Sequence, residues 1–179
     1  MSRKIAIIGT AGRDKQHALN TSHWEYMCKR VANELQPTDH LISGGAAWAD
    51  HVAVWAYINK LCSNLTLHLP APFNGQFFGG KGTSGGASNY YHRLFSKTIG
   101  QNSLQQIYDV LESGVNYTTQ PEANGYAAMF ARNALVADEC THMIAFTFGA
   151  GNTPNDGGTR STWNMAGTTK MRAHISLLN

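Results

Sequence analysis

Four glycine-bearing segments carry the residue types best suited to chemistry in this chain of 179 residues. They are Gly9-Thr10-Ala11-Gly12-Arg13, Gly44-Gly45-Ala46, Gly79–Gly86 and Gly157-Gly158-Thr159, and each follows a short apolar run. Glycine lets a backbone approach a ligand closely. A strand-to-helix turn also offers free N–H groups and the positive end of a helix dipole to an anion. A single such turn is equally what tight chain reversal needs. Several in phase, at the ends of parallel strands, point to a ligand that carries phosphate.

Charged and hydroxyl side chains stand beside these turns. Asp156-Gly157-Gly158-Thr159-Arg160-Ser161-Thr162 crowds hydroxyls and an arginine at a helix start, which suits either a phosphate or an ordinary N-cap. Arg132, followed by Asn133, is the only arginine of its helix. It is either a surface residue or a bidentate group for phosphate or carboxylate. Asp50 falls in the first turns of the helix after Ser43-Gly44-Gly45. There it caps the helix or accepts hydrogen bonds from ligand hydroxyls; beside a phosphate it would repel. His92 follows the long Gly-rich segment and either faces the ligand edge or is solvated. The eight histidines show no HExxH spacing, and the 11 acidic residues do not pair. No metal or cofactor is therefore expected, and a two-carboxylate hydrolase has little support.

The elements that must position these residues can be read from periodicity. Lys4–Gly9, His40–Ser43, Leu65–Leu69, His142–Phe148 and Arg172–Leu178 read as short, mostly buried strands. Ser22–Leu35, Ala47–Leu61, Asn89–Ile99, Ser103–Leu111, Asn124–Cys140 and Thr159–Ala166 read as helices, the first with a capping box of Ser22 and Glu25. Alternating strands and helices predict a Rossmann-like, doubly wound, mainly parallel sheet in three α/β/α layers, as one domain over residues 1–179. Residues 73–88 read as a long loop. With Phe73, Phe77 and Phe78 it is either a lid over the ligand edge or a segment anchored in the core.

Charged residues make up 14% and hydrophobic residues 42%, a globular balance. Net charge is +3 and no segment concentrates Lys and Arg, which argues against duplex DNA as partner. No apolar run is long enough to span a membrane. The three cysteines, Cys28, Cys62 and Cys140, form no CxxC pair and fit free thiols in a reducing cytoplasm.

The residues Gly9-Thr-Ala-Gly-Arg13, Ser43-Gly-Gly-Ala-Ala-Trp-Ala-Asp50 and Ala53-x-x-Ala56 resemble the SLOG superfamily. That group includes DNA-processing protein A and the LOG phosphoribohydrolases. In the former the second stretch reads roughly SGxAxGID, so Asp50 matches the acidic residue and Trp48 stands where glycine is usual. Arg132-Asn133, the strand after it and Gly157-Gly158-Thr159 are similar to the LOG order of arginine helix, strand and PGGxGTxxE. The motif's glutamate falls on Thr162 here, and its proline on Asp156. Threonine cannot replace a carboxylate at a sugar centre.

The resemblance implies ligand binding more than LOG catalysis. The expected function is to sense or sequester a nucleotide or nucleotide-derived phosphate ligand. Its binding residues would be Gly9, Thr10, Gly12, Arg13, Gly44, Gly45, Asp50, Arg132, Asn133, Gly157, Gly158, Thr159 and Arg160. The alternatives are a nucleotide N-glycosidase, with Asp50, Glu122 or Glu139 replacing the missing glutamate, and a single-stranded nucleic-acid binder. The resemblance, with Trp24, Trp48, Trp55 and Trp163 on helices, further implies a homo-oligomer.

Overall fold

The computed structural model describes residues 2–155 and 157–178. The chain runs β1 (Lys4–Gly9), α1 (Thr21–Glu34), β2 (His40–Ser43), a 3₁₀ turn (Trp48–Asp50), α2 (His51–Ile58) and β3 (Asn64–Leu69). It continues through α3 (Ser84–Ile99), α4 (Ser103–Glu112), β4 (Asn116–Thr119), α5 (Ala127–Glu139), β5 (His142–Thr147), α6 (Gly158–Ala166) and β6 (Met171–Ser176). The sheet has six strands in the order β4-β3-β2-β1-β5-β6, and every pairing is parallel. The chain leaves β1 toward β2 on one side and later returns to β5 on the other. The strand order reverses there, and this switch point is where parallel α/β sheets open a crevice.

Strand residues alternate between two buried faces. Ile5, Ile7, Leu41, Leu65, Leu67, Ile144 and Phe146 pack with residues of α1 to α4. Ala6, Ile8, Ile42, Met143 and Ala145 pack with α5 and α6. Burial on both sides explains why these strands read as continuous apolar runs. The expected doubly wound α/β/α sheet is what the chain forms. No helix among the described residues is long and apolar enough to cross a membrane.

Several local expectations are corrected. The cap of α1 is Asn20: its side chain accepts from the His23 N–H at 3.2 Å, and His23 Nδ1 accepts from the Asn20 N–H at 3.1 Å. His23 thus takes the role expected of Glu25. The helix expected from Ala47 starts as a 3₁₀ turn because Trp48 takes φ +66°. α3 begins at Ser84, where Thr83 caps it by accepting from the Gly86 N–H at 3.1 Å. β4 was not expected. Its sequence, NYTT, has no apolar face, and all four residues are exposed at the sheet's edge.

Segment 73–88 is anchored rather than poised. Asn89 holds the Phe77 N–H and C=O, each at 2.8 Å, and Phe77 is buried against Phe73 and His92. The tryptophans are core residues too: Trp24, Trp48 and Trp163 are buried and Trp55 is half-buried. All three cysteines are free and buried, and burial pushes the Cys62 thiol up to about 11.

Candidate functional site

A cleft of about 320 Å³ opens at the switch point, beyond the carboxyl ends of β1 and β5. β1 ends at Gly9 because nothing larger fits. A Cβ there would strike the Phe146 carbonyl and lie 2.7 Å from Ala49 Cβ. The Thr10 N–H donates to that carbonyl at 2.9 Å, tying the following loop to β5. From this loop Arg13 crosses to α5. Its guanidinium lies 4.5 Å from the Tyr126 ring centre and 5.2 Å from that of Tyr91, with Nη2 3.1 Å from Met129 Sδ. Cation–π contact with two rings holds the guanidinium at the cleft, where its N–H groups suit an anion.

The floor is built around Gly44. A Cβ on Gly44 would lie 2.8 Å from both Arg132 Nε and Asp50 Oδ2, so only glycine lets these two groups close on the turn. Arg132 is 4% exposed; it donates to the Gly44 carbonyl through Nη1 and to Asn133 Oδ1 through Nε at 2.7 Å. Asp50 Oδ2 accepts from the Ala46 N–H at 3.3 Å. Burial raises the Asp50 carboxyl above its ordinary value, against the pull of Arg132 and the Ala46 and Gly44 N–H groups. Burial likewise lowers Arg132, and Asp50 opposes it.

His92 braces the same turn from behind. It is fully buried, with Nε2 2.8 Å from the Gly45 carbonyl and Nδ1 2.8 Å from Ser103 Oγ. A carbonyl only accepts, so Nε2 carries the proton and Ser103 donates to Nδ1. Burial holds the imidazole neutral, with its pKa lowered to about 3.

The fourth wall is the start of α6. Gly157, at φ +109°, precedes it, and no side chain among the described residues caps it. Gly157, Gly158 and Thr159 line the cleft, which puts the first turn of α6 at its wall. Asn133 Nδ2 lies 3.7 Å from where a Gly158 Cβ would be. With Oδ1 held by Arg132, the amide presents its NH₂ to that helix end. Thr147 Oγ1 accepts from the N–H groups of Gly149 (3.1 Å) and Asn155 (3.3 Å) and bonds His174 Nε2 at 2.7 Å, which shapes the loop leading there.

Ten of the expected residues line this cleft: Gly9, Thr10, Arg13, Gly44, Asp50, Arg132, Asn133, Gly157, Gly158 and Thr159. Three stand outside it. Gly12, at φ +87°, packs against the Trp48 indole; Gly45, at φ +71°, packs against Leu69. Arg160 donates to the Pro154 carbonyl at 2.9 Å and clamps a loop. Asp156 lies outside the described residues. Glu122 and Glu139 do not line the cleft, and Glu139 instead bonds His68 at 2.6 Å. Thr162 does line it, with its hydroxyl donating to the Gly158 carbonyl at 2.8 Å. Sequence reasoning missed Asp14, Tyr126, Met129 and Phe130, which form the rim. The aromatics two and six residues before Arg132 were the available signal. None of residues 73–88 lines the cleft.

Fold and site together define a Rossmann-like α/β protein with a glycine-walled polar cleft at the switch point of its sheet. No family model matches the chain. It belongs to one family with an uncharacterized protein of Acanthamoeba polyphaga mimivirus, to which it is 37% identical over 172 residues, 90% of this chain and 89% of the relative. Among solved structures it is similar to DNA processing protein A of Streptococcus pneumoniae, with a TM-score of 0.53 and 17% identity over 99% of this chain. The match covers 52% of that protein, so the chain spans about half its length. A second, the Helicobacter pylori protein, described in a single-stranded DNA binding mode, gives a TM-score of 0.48 and 18% identity over 92% of this chain and 60% of its own. At 17% identity the likeness to the Streptococcus pneumoniae protein is one of fold.

Proposed function

We propose that the protein binds a nucleotide or nucleotide-derived ligand by its phosphate, as a sensing or sequestering module. One observation carries this reading: the α6 N-terminus opens uncapped, among the described residues, into a cleft where Asn133 Nδ2 is turned toward it. Helix-end N–H groups with no side-chain cap among the described residues, a positive dipole end and an oriented amide suit an anion. Arg13 lies across the same cleft and supplies a positive charge. Tyr126 and Phe130, both about half exposed, give flat apolar surface for a base. Asp50 lies among the glycine turns, where it suits sugar hydroxyls better than phosphate.

Asp50 also favours a second reading. A buried carboxyl held above its ordinary value, in the cleft floor, is the group an N-glycosidase would need. Glu122 and Glu139 are excluded by position.

A panel of nucleosides, nucleoside mono-, di- and triphosphates and a short single-stranded oligonucleotide separates these readings. Calorimetry reads binding and chromatography reads free base. Binding that requires phosphate, without release of base, supports the sensing module. Base release lost in Asp50→Asn supports the glycosidase. Binding of the oligonucleotide alone supports the nucleic-acid alternative. Failure of every phosphorylated compound to bind at millimolar concentration refutes the phosphate cradle.

A further inference from the structure

A second cavity, of about 510 Å³, opens where α3 turns into α4, and it shares no lining residue with the cleft at the switch point. Its charge is one-sided. Arg93 and Lys97 line it, whereas no carboxylate does so among the described residues. The two cations are four residues apart on α3, so they project from one face of the helix. Both are exposed, and neither has an ion partner among the described residues. Lys97 stands in the last turn of α3, where a cation complements the helix dipole. Arg93, one turn earlier, lies beyond the reach of that effect.

The amides opposite these cations are turned to donate. Gly100, at φ +70°, ends α3, and the Ser103 N–H donates to Ser96 Oγ at 3.0 Å, which holds Gln101 and Asn102 in a fixed turn. Asn102 Oδ1 accepts from the Gln105 N–H at 3.0 Å as the cap of α4. A backbone N–H only donates, so the oxygen of Asn102 is spent and its NH₂ is left free. Gln101 is oriented by a longer relay. His51 is fully buried and has no partner for Nδ1; its Nε2 lies 2.8 Å from Gln106 Oε1, so Nε2 carries the proton. Gln106 Nε2 then donates to Gln101 Oε1 at 2.9 Å, and Gln101 too keeps its NH₂ for the cavity. His92 lines the cavity as well, but both its ring nitrogens are engaged, with Gly45 and Ser103.

We propose that this cavity is a second ligand site, for a small oxyanion of more than one negative charge, held by Arg93 and Lys97 and by the NH₂ groups of Gln101 and Asn102. Two cations match a ligand of two or three negative charges, and the guanidinium can grip two of its oxygens at once. The amides add donors that carry no charge, and no carboxylate among the described residues opposes the ligand. No Phe, Tyr or Trp lines the cavity among the described residues, so nothing there stacks a base. The ligand is the anion itself rather than a nucleotide. A phosphate compound and a polycarboxylate share this chemistry, and pyrophosphate and citrate stand for the two.

Calorimetric titration of the full chain with pyrophosphate and with citrate tests the site. Arg13→Ala is the background, so that anion binding at the switch-point cleft is weakened from the start. In that background at least one probe should bind, and which one binds names the source. Adding Asn102→Asp keeps the oxygen that caps α4 but sets a carboxylate oxygen where the NH₂ stood. The melting temperature should therefore hold, while binding of the probe should weaken about tenfold or more, the scale of one charge-assisted hydrogen bond. Arg93→Gln with Lys97→Gln, both exposed positions, should have the same two effects. Nucleotide binding by the chain with Arg13 intact should be unchanged by Asn102→Asp, which keeps this site's failure distinct from that of the cleft. Failure of both probes to bind at millimolar concentration, or binding that withstands Asn102→Asp and the double variant alike, would overturn the proposal.

Discussion

Acidification should destabilise this protein through His92, and the size of the effect follows from its surroundings. The imidazole is buried, donates to the Gly45 carbonyl and accepts from Ser103, with its pKa lowered to about 3. In the unfolded chain a histidine titrates near 6.5. Below pH 6.5 the unfolded state therefore binds a proton that the folded state refuses, and stability falls as pH falls through the window from about 6.5 to 3. Between pH 7 and pH 5 the loss from this one group is about 2 kcal/mol, at about 1.4 kcal/mol per pH unit once the unfolded histidine is charged. His51, lowered to about 4 by burial, adds a parallel loss, and Asp50, raised by burial, opposes both. A difference measurement isolates His92. His92→Gln retains a donor for Gly45 but does not titrate. In urea titrations across this range, the stability gap between wild type and His92→Gln should shift by about 2 kcal/mol in favour of the variant on going from pH 7 to pH 5. A gap that stays constant within error would show that His92 is accessible or already paired with a proton, and would refute the buried-brace reading.

Arg132→Ala should destabilise the fold by about 3–5 kcal/mol, since it leaves Asp50 buried without its cation and the Gly44 carbonyl without its donor. Thermal melting reads this, and an unchanged melting temperature would mean that Arg132 is a ligand group only. Arg13→Ala, by contrast, should leave the melting temperature nearly unchanged. It should weaken nucleotide binding by about 1.5–3 kcal/mol in calorimetry, the scale of a charge-assisted hydrogen bond. Trp48→Gly relieves about 1–2 kcal/mol of left-handed backbone cost but removes a buried indole worth about 3–5 kcal/mol. It should therefore be net destabilising in urea titration, and a more stable variant would show that the backbone cost dominates.

Much of the architecture was legible because parallel strands buried on both faces leave continuous apolar runs, as Lys4–Gly9 and Leu65–Leu69 do. β4 was not, because an edge strand with both faces in water needs no apolar residue. The glycine turns were legible because turn geometry is local. Their separate roles were not. Gly9 and Gly44 admit a neighbouring chain or side chain at the cleft, whereas Gly12 and Gly45 accommodate Trp48 and Leu69 behind it. His92 could not be placed from sequence, since its partner carbonyl on Gly45 is distant along the chain. Arg132 and Arg160 look alike in sequence, yet one is drawn into the floor by Gly44 and Asn133 while the other clamps Pro154. The face that α5 turns to the cleft is set by packing, so Tyr126 and Phe130 were missed.

The central strand has a consequence for synthesis. β1 is made before the other strands, and it lies between β2 and β5, with Ile5 paired to His142 and Gly9 to Phe146. Until the region of β5 has left the ribosome, Ile5–Ile8 present an open apolar edge, the kind of surface that recruits other chains. During that interval Ala6, Ile8 and Ile42 also lack the cover of Val136, Trp163 and Ala166. A fragment ending at Gln120 should thus be retained by chaperones or aggregate, whereas the full chain should not. The same late segment supplies α5, the end of β5 and the start of α6, so three of the cleft's walls arrive with the sheet's closing strand. No partly made chain has the complete cleft, so a ligand of the proposed kind would act on the finished protein and draw the last folding step toward completion by mass action.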